Sequence, residues 1–407
     1  MSLCRLCRTP VTRTFIDLGQ QPLANSYLKY DQLTQPEARY PLHAKVCDSC
    51  FLVQADHDVA AEAIFSDYAY FSSYSSSWVE HSRLYAEAMI SRLALKPSSL
   101  VVEIASNDGY LLKHFKAAGI DVLGIEPAAN VVREAEAHGV KTEIAFFNKY
   151  TAGRLGAAGV QADLIAANNV MAHVPDLNDF IAGFPLVLKT QGVLTIEFPH
   201  LLNLIQQCQF DTIYHEHYSY LSLLASERAL AAHGLRVFDV EELPTHGGSL
   251  RLFVCHLTAN FAEGAGLHTI RSKEKAAGFD RSAAYELFAP QAQKIREQLR
   301  KFLEKAKKDG LTVTAYGAAA KGNTLLNYCE VDSTLVSAVF DKNPHKQGNL
   351  LPGSRIPVKS PEEIVQIKPD IILILPWNLS SEIAKEQSVI REWGGRFVTA
   401  IPQINIF

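Results

Sequence analysis

The run Val101-Val102-Glu103-Ile104-Ala105-Ser106-Asn107-Asp108-Gly109-Tyr110 decides the fold class. Its apolar, β-branched start reads as a buried strand, its small and polar middle as a tight turn, and Tyr110 opens a helix. Such a strand-turn-helix brings backbone amides to the carboxyl edge of a parallel sheet, where α/β proteins hold ligands. Outward from it the alternation continues. Strands are expected at Val122 to Ile125, Leu164 to Ala167 and Val193 to Phe198, with helices between them. Two further strand-like runs, Arg236 to Val240 and Ser249 to His256, flank Thr245-His246-Gly247-Gly248 and read as an antiparallel appendage to the sheet.

The second strand ends in Glu126-Pro127, and an acid there can accept both ribose hydroxyls of an adenosine ligand. Ala105 and Asn107 stand where a dinucleotide fingerprint has glycines. A pyrophosphate needs close backbone approach, so the loss argues against NAD; for S-adenosylmethionine, which has no phosphate, it matters less.

After a helix-prone stretch from Ala289 to Lys308, strand Val313 to Tyr316 meets Gly317-Ala318-Ala319-Ala320-Lys321-Gly322-Asn323-Thr324. Small residues, a lysine and a helix start are the ingredients of a phosphate-holding turn. Strands at Ala338 to Phe340 and Ile371 to Leu375 complete a second Rossmann-like unit.

The first ~70 residues differ, being polar and carrying Cys4-x-x-Cys7 and Cys47-x-x-Cys50. Two knuckles of two thiolates each make the closed tetrahedral set of structural zinc, with no open position for chemistry. Cys208, Cys255 and Cys329 lack a paired spacing and read as packing residues. A length of 407 residues with 48% hydrophobic and 20% charged residues excludes a disordered chain. The net charge of −4 gives no broad footprint for nucleic acid. No run approaches the ~20 apolar residues of a membrane span, and Met1-Ser2-Leu3-Cys4-Arg5 shows no signal core, so a cytoplasmic location is expected.

Asp211-Thr212-Ile213-Tyr214-His215-Glu216-His217-Tyr218-Ser219-Tyr220 gathers polar and titratable side chains around two histidines, outside the zincin spacing. In a strand His215 and His217 would share a face; in a helical turn Tyr214 and His217 would meet. Either way a histidine near its reference pKa is the natural general base at neutral pH. His173, after the strand Leu164 to Ala167, would face the same crevice.

With these pieces together, the chain resembles the deoxysugar C-methyltransferases that act on nucleotide-linked 4-keto sugars. The resemblance is carried by the cysteine pairs, Gln21-Pro22-Leu23-Ala24-Asn25, Tyr68-Ala69-Tyr70, Glu103 to Tyr110, Asn169 to Pro175, Tyr214 to Tyr220, His246 to Arg251 and Tyr316 to Asn323. It implies a zinc-binding module at residues 1–70, a Rossmann-like class I methyltransferase domain at 71–260, and a second Rossmann-like domain at 261–407 that binds substrate and no dinucleotide. It places His173, Tyr214, Glu216 and His217 in the active site with a connector tyrosine, Tyr68 or Tyr70, and so implies a turn or helix start rather than a strand at 214–217.

Glu126 and Pro127 are then expected at the cofactor ribose, with Glu103, Ala105, Asn107, Gly109 and Asn169 around the rest of S-adenosylmethionine and Phe147 and Asn148 near its adenine. His246, Arg251, Lys321 and Asn323 are expected at the sugar nucleotide. The implied reaction is methylation of the carbon beside the ketone, C-3', through an enolate, on a thymidine-diphosphate sugar. No nucleic acid or membrane partner is implied, and the sequence leaves the oligomeric state open, with a monomer favoured. The rival readings are a zinc-ribbon protein that binds RNA or another ligand without catalysis, which the charge balance disfavours, and an NAD-dependent oxidoreductase, which the broken glycine pattern disfavours.

Overall fold

A computed structural model describes residues 2–56, 59, 72–74 and 76–407. Leu100–Ile104 is buried at every residue but the first, and a strand apolar on both faces belongs at the middle of a covered sheet. It sits in a seven-stranded sheet in the order Leu235–Leu243, Ser249–His256, Leu188–Pro199, Ala162–Asn168, Leu100–Ile104, Asp121–Ile125, Thr142–Glu143. Numbered along the chain, that order is 6-7-5-4-1-2-3. All pairs are parallel except those of Ser249–His256, which runs antiparallel to both neighbours. The expected antiparallel pair is therefore present, but its last strand is inserted between two others instead of added at the edge. The order reverses between the first and fourth strands, and the crevice beyond their carboxyl ends is where such sheets bind ligands.

The C-terminal six-stranded sheet runs Val358–Lys359, Val339–Phe340, Val313–Tyr316, Ile371–Ile374, Arg396–Thr399, Asn405–Ile406, parallel but for its last strand. Its reversal point lies between Val313–Tyr316 and Ile371–Ile374. There Gly317 has a φ of +89°, and a Cβ on it would lie 2.4 Å from Pro376 Cδ, so only glycine fits.

The N-terminal residues do not close a core of their own. Arg13–Gln21, Tyr40–Val46 and Val53–Ala55 form an antiparallel sheet whose fourth strand, Ser219–Tyr220, comes from the histidine segment. Phe15, Leu42 and Val53 pack in one cluster with Phe288, Leu299 and Leu325, whereas Cys4, Cys47 and Cys50 join the cluster of Leu221 and Leu223. The helix Phe288–Lys308 makes the first connection: Phe288, Ala292, Ile295, Leu299, Leu303 and Ala306 form its buried stripe at helical spacing. Phe288 also stacks on Phe15 at 4.4 Å. A backbone bridge between Leu28 and Leu350 ties the module to the C-terminal domain a second time. Among the described residues no helix is long and apolar enough to cross a membrane.

Candidate active site

The cysteine pairs form two matching knuckles. The Cys4 N–H donates to Thr9 O at 2.8 Å and the Cys47 N–H to Leu52 O at 3.0 Å. Arg8 and Phe51, each next after a knuckle, share left-handed φ values of 61° and 62°. The four Sγ atoms lie within 4.8 Å of one another. Tetrahedral zinc with bonds of about 2.3 Å sets its sulfurs about 3.8 Å apart, so the set fits that ion. The two pairs, far apart in the chain, thus come together in one four-cysteine cluster that could hold a metal ion.

The cofactor turn keeps the conformation of a glycine fingerprint without its glycines. Ala105, Asn107 and Gly109 have φ values of 57°, 49° and 76°. A non-glycine residue in this region costs about 1–2 kcal/mol, less for asparagine, and such strain collects at functional sites. The turn also delays the helix, which begins at Leu112 rather than Tyr110. Glu126 faces the turn: its Oε2 accepts from the Asn107 N–H and its Oε1 from the Ala128 N–H, both at 3.0 Å. Across the crevice Asn169, itself at φ 53°, presents buried amide atoms with no partner among the described residues, as does Asn168 Oδ1. Orphaned amide groups and an acid at the carboxyl end of the second strand fit an adenosine ligand with an amino-acid tail.

Three cofactor candidates have other duties. Phe147 packs in the core against Phe180 and Phe184, with centroids 5.6 and 5.1 Å away. Asn148 caps the helix Lys149–Ala157 through Thr151 N–H at 2.8 Å. Glu103 is 1% exposed and bonds Tyr110, and burial holds its carboxyl well above the ordinary range.

The histidine segment is a turn. The His217 N–H donates to Tyr214 O at 2.9 Å, which brings the Tyr214 and His217 rings to 4.1 Å, tilted by 34°, and the extended alternative does not form. His217 Nδ1 lies 2.8 Å from Thr212 O; a carbonyl only accepts, so the ring proton is on Nδ1 and Nε2 carries the basic lone pair. His173 stands 4.6 Å from His217, centroid to centroid. Burial, reinforced by His173, pushes the His217 pKa well below 6.5, and burial takes His173 down to about 4. Both rings are neutral at pH 7.

Glu216 is buried, which raises its pKa to about 7, and a hydrogen bond from Asn25 Nδ2 works against that rise. Asn25 belongs to the quoted Gln21-to-Asn25 motif, but its role could not be read there because its partner lies far along the chain. Tyr68 and Tyr70 lie outside the described residues.

His246, at φ 54°, stands 5.3 Å from Trp78, whose ring also stacks on His81 at 4.8 Å. Its charge would be felt by both His173 and His217. Gly247 at φ +88° packs on Trp377, with a Cβ position 2.3 Å from the ring. Lys321 lies 4.9 Å over that same ring and bonds Asn378, and Trp377 Nε1 donates to buried Asp211 at 2.8 Å. Burial lowers the Lys321 pKa, while Asp211 opposes the shift.

The remaining substrate candidates point elsewhere. Arg251 is 4% exposed and pairs with fully buried Glu197 at 2.8 Å, so its charge is spent inside the protein. Asn323 is buried and accepts from Asn327.

A zinc binding domain family matches residues 4–65, a methyltransferase domain family residues 78–240, and a C-methyltransferase C-terminal domain family residues 244–402. C-methyltransferase NovU of Streptomyces niveus is 34% identical over 400 residues, 98% of this chain and 95% of that one. The chain belongs to the S-adenosylmethionine-dependent C-methyltransferases. A ubiquinone biosynthesis O-methyltransferase of Bartonella quintana is 29% identical over 24% of this C-methyltransferase and 39% of its own length. Among solved structures, the magnesium protoporphyrin IX methyltransferase of Synechocystis is 15% identical, with a TM-score of 0.33 over 44% of this chain and 81% of that one. The enzyme therefore uses S-adenosylmethionine and carries a zinc-binding module with a four-cysteine cluster.

Proposed function

We propose that the enzyme methylates the carbon beside the ketone, C-3', of a thymidine-diphosphate-linked 4-keto-deoxysugar. The observation that carries this reading is His217: a buried, neutral imidazole with its Nδ1 proton committed to Thr212 O. A hydrogen beside a ketone is acidic because the resulting carbanion is delocalised as an enolate, and a positioned neutral base is the group that removes it. O-methylation needs no such carbon acid.

In this reading His217 Nε2 takes the proton from C-3', and Tyr214, with a connector tyrosine from Tyr68 or Tyr70, holds the enolate oxygen. His173 fixes the far side of the His217 ring, and Glu216, held by Asn25, binds the sugar next to it. Lys321 and His246 receive the diphosphate between the middle and C-terminal domains, the domain limits lying near residues 70 and 260. Glu126, Pro127, the 105–109 turn and Asn169 hold S-adenosylmethionine, which when bound supplies an electrophilic sulfonium methyl group. Orientation of the enolate carbon toward that group is the remaining task of the site.

The test is incubation of the zinc-loaded protein with carbon-13 methyl S-adenosylmethionine and a panel of thymidine-diphosphate 4-keto sugars, read by NMR. A labelled methyl on ring carbon C-3' is expected. Label on oxygen or nitrogen would refute the enolate route, and binding of the cofactor with no transfer to any keto sugar would refute the acceptor.

A further inference from the structure

We propose that Arg5, inside the first cysteine knuckle, is a positioning residue that sets the separation of His173 and His217. It rests on the functional reading above. Arg5 is 8% exposed although it lies between two zinc ligands. Its backbone is fixed on both sides: the Arg5 N–H donates to Gln54 Oε1 at 2.8 Å, and Asn178 Nδ2 donates to the carbonyls of Arg5 and Leu6 at 2.8 and 2.9 Å.

From that anchor the guanidinium ties the segment that carries His173 to the strand Val53–Ala55, which in turn holds the segment that carries His217. Nη1 donates to Pro175 O at 2.7 Å, two residues beyond His173. Nη2 donates to Ala55 O at 3.3 Å, and the Ala55 N–H donates in turn to Tyr218 O at 3.0 Å, one residue beyond His217. The guanidinium carbon lies 5.2 Å from the Tyr218 ring centroid. The two segments also touch directly, through Tyr218 N–H to Ala172 O at 2.8 Å. A planar fork can hold two carbonyls at a fixed spacing, which an ammonium cannot. A shift of about 1 Å between catalytic groups costs up to roughly a hundredfold in rate, so this spacing bears on turnover. The cysteine knuckle thereby reaches the catalytic pair through one side chain, without any metal chemistry.

The test compares zinc-loaded wild type with Arg5→Lys and Arg5→Gln. Four quantities are read: zinc content with Tm, S-adenosylmethionine affinity, kcat and KM for the keto sugar, and nitrogen-15 shifts of the histidine rings. In Arg5→Lys the expectation is unchanged zinc and cofactor affinity, a KM within threefold, a kcat lower by about tenfold or more, and moved His173 and His217 ring signals. A kcat within twofold of wild type with unmoved ring signals overturns the proposal. So does loss of zinc and folding in both variants, which would make Arg5 a folding residue only. If the wild type itself transfers no methyl to a keto sugar, the acceptor assignment fails; the ring signals then decide the Arg5 proposal alone, moved signals supporting it and unmoved signals overturning it.

Discussion

Gln54, on the strand that leaves the second cysteine knuckle, lies directly opposite Ser219, two residues past His217. The zinc-binding module and the histidine turn thus share one sheet. Loss of the metal is expected to free the end of Val53–Ala55, the strand that pairs with Ser219–Tyr220 just past His217. Structural zinc contributes roughly 10–16 kcal/mol in peptide sites, comparable with the whole margin of about 5–15 kcal/mol by which a domain is stable. Cys47→Ser is expected to lose zinc, lower the Tm by more than about 10 °C, and lose methyl transfer in proportion to its metal content. Metal analysis with calorimetry checks this; a metal-free protein with wild-type Tm would exclude the structural role.

The Nδ1 bond to Thr212 O leaves His217 one ring nitrogen with a free lone pair, Nε2, the atom proposed as the base. In His217→Asn the side-chain amide can still donate to that carbonyl, so the turn survives while the base is gone. Methyl transfer should fall by about 10²–10⁴-fold, the usual worth of a general base. Isothermal titration with S-adenosylmethionine should give an affinity within about twofold of wild type. Turnover near wild type would remove His217 from the base role.

Glu216 offers a stability change of predictable sign. Burial raises its pKa from 4.5 to about 7 in the folded protein. The folded state therefore holds a proton that the unfolded state releases between those values, and stability drains away as pH rises through them. Glutamine cannot ionise and still accepts from Asn25. Glu216→Gln should match wild type below about pH 4.5 and exceed it by about 3 kcal/mol above pH 7, at about 1.4 kcal/mol per pH unit. Urea melts at pH 5 and pH 8 read the difference, and an equal gap at both would contradict the buried, protonatable carboxyl.

The cofactor turn separates two glycine exchanges. Ala105→Gly removes a left-handed alanine, worth about 1–2 kcal/mol, against an unfolded-state entropy cost of about 0.4–1 kcal/mol. A small gain in stability with cofactor affinity retained is expected. Gly109→Ala adds a Cβ at φ +76°, 3.1 Å from Val140 Cγ2 and 3.3 Å from the Ala135 methyl. It should destabilise by about 1–2 kcal/mol and weaken S-adenosylmethionine binding, as thermal melts with and without the cofactor will show. Equal effects of the two changes would mean that the turn's conformation is not what the cofactor needs.

Local chemistry made much of this protein legible from its residues alone. Two Cys-x-x-Cys pairs name a metal whatever surrounds them, because four thiolates satisfy one tetrahedral ion. The 101–110 run names a ligand-binding strand-turn-helix, because apolar periodicity and small residues act over a few positions. The glycine pattern was harder: the sequence shows substitutions at 105 and 107, and only the backbone shows both residues held at positive φ.

What tertiary structure decided is everything that depends on partners distant in the chain. Residues 214–217 could form a strand or a turn by local preference. Thr324 Oγ1 bonding Ile213 O, Trp377 bonding Asp211 and Ser219–Tyr220 pairing with Val53–Ala55 select the turn. Arg251 looked available to a substrate until Glu197, far off in sequence, neutralised it in the core. Asn25 and Arg5 meet their partners, Glu216 and the Pro175 carbonyl, only because the N-terminal module is packed into the other domains. A residue's type and spacing determine what chemistry it can do, but burial and long-range hydrogen bonds determine whether its charge, proton or lone pair is free to do it.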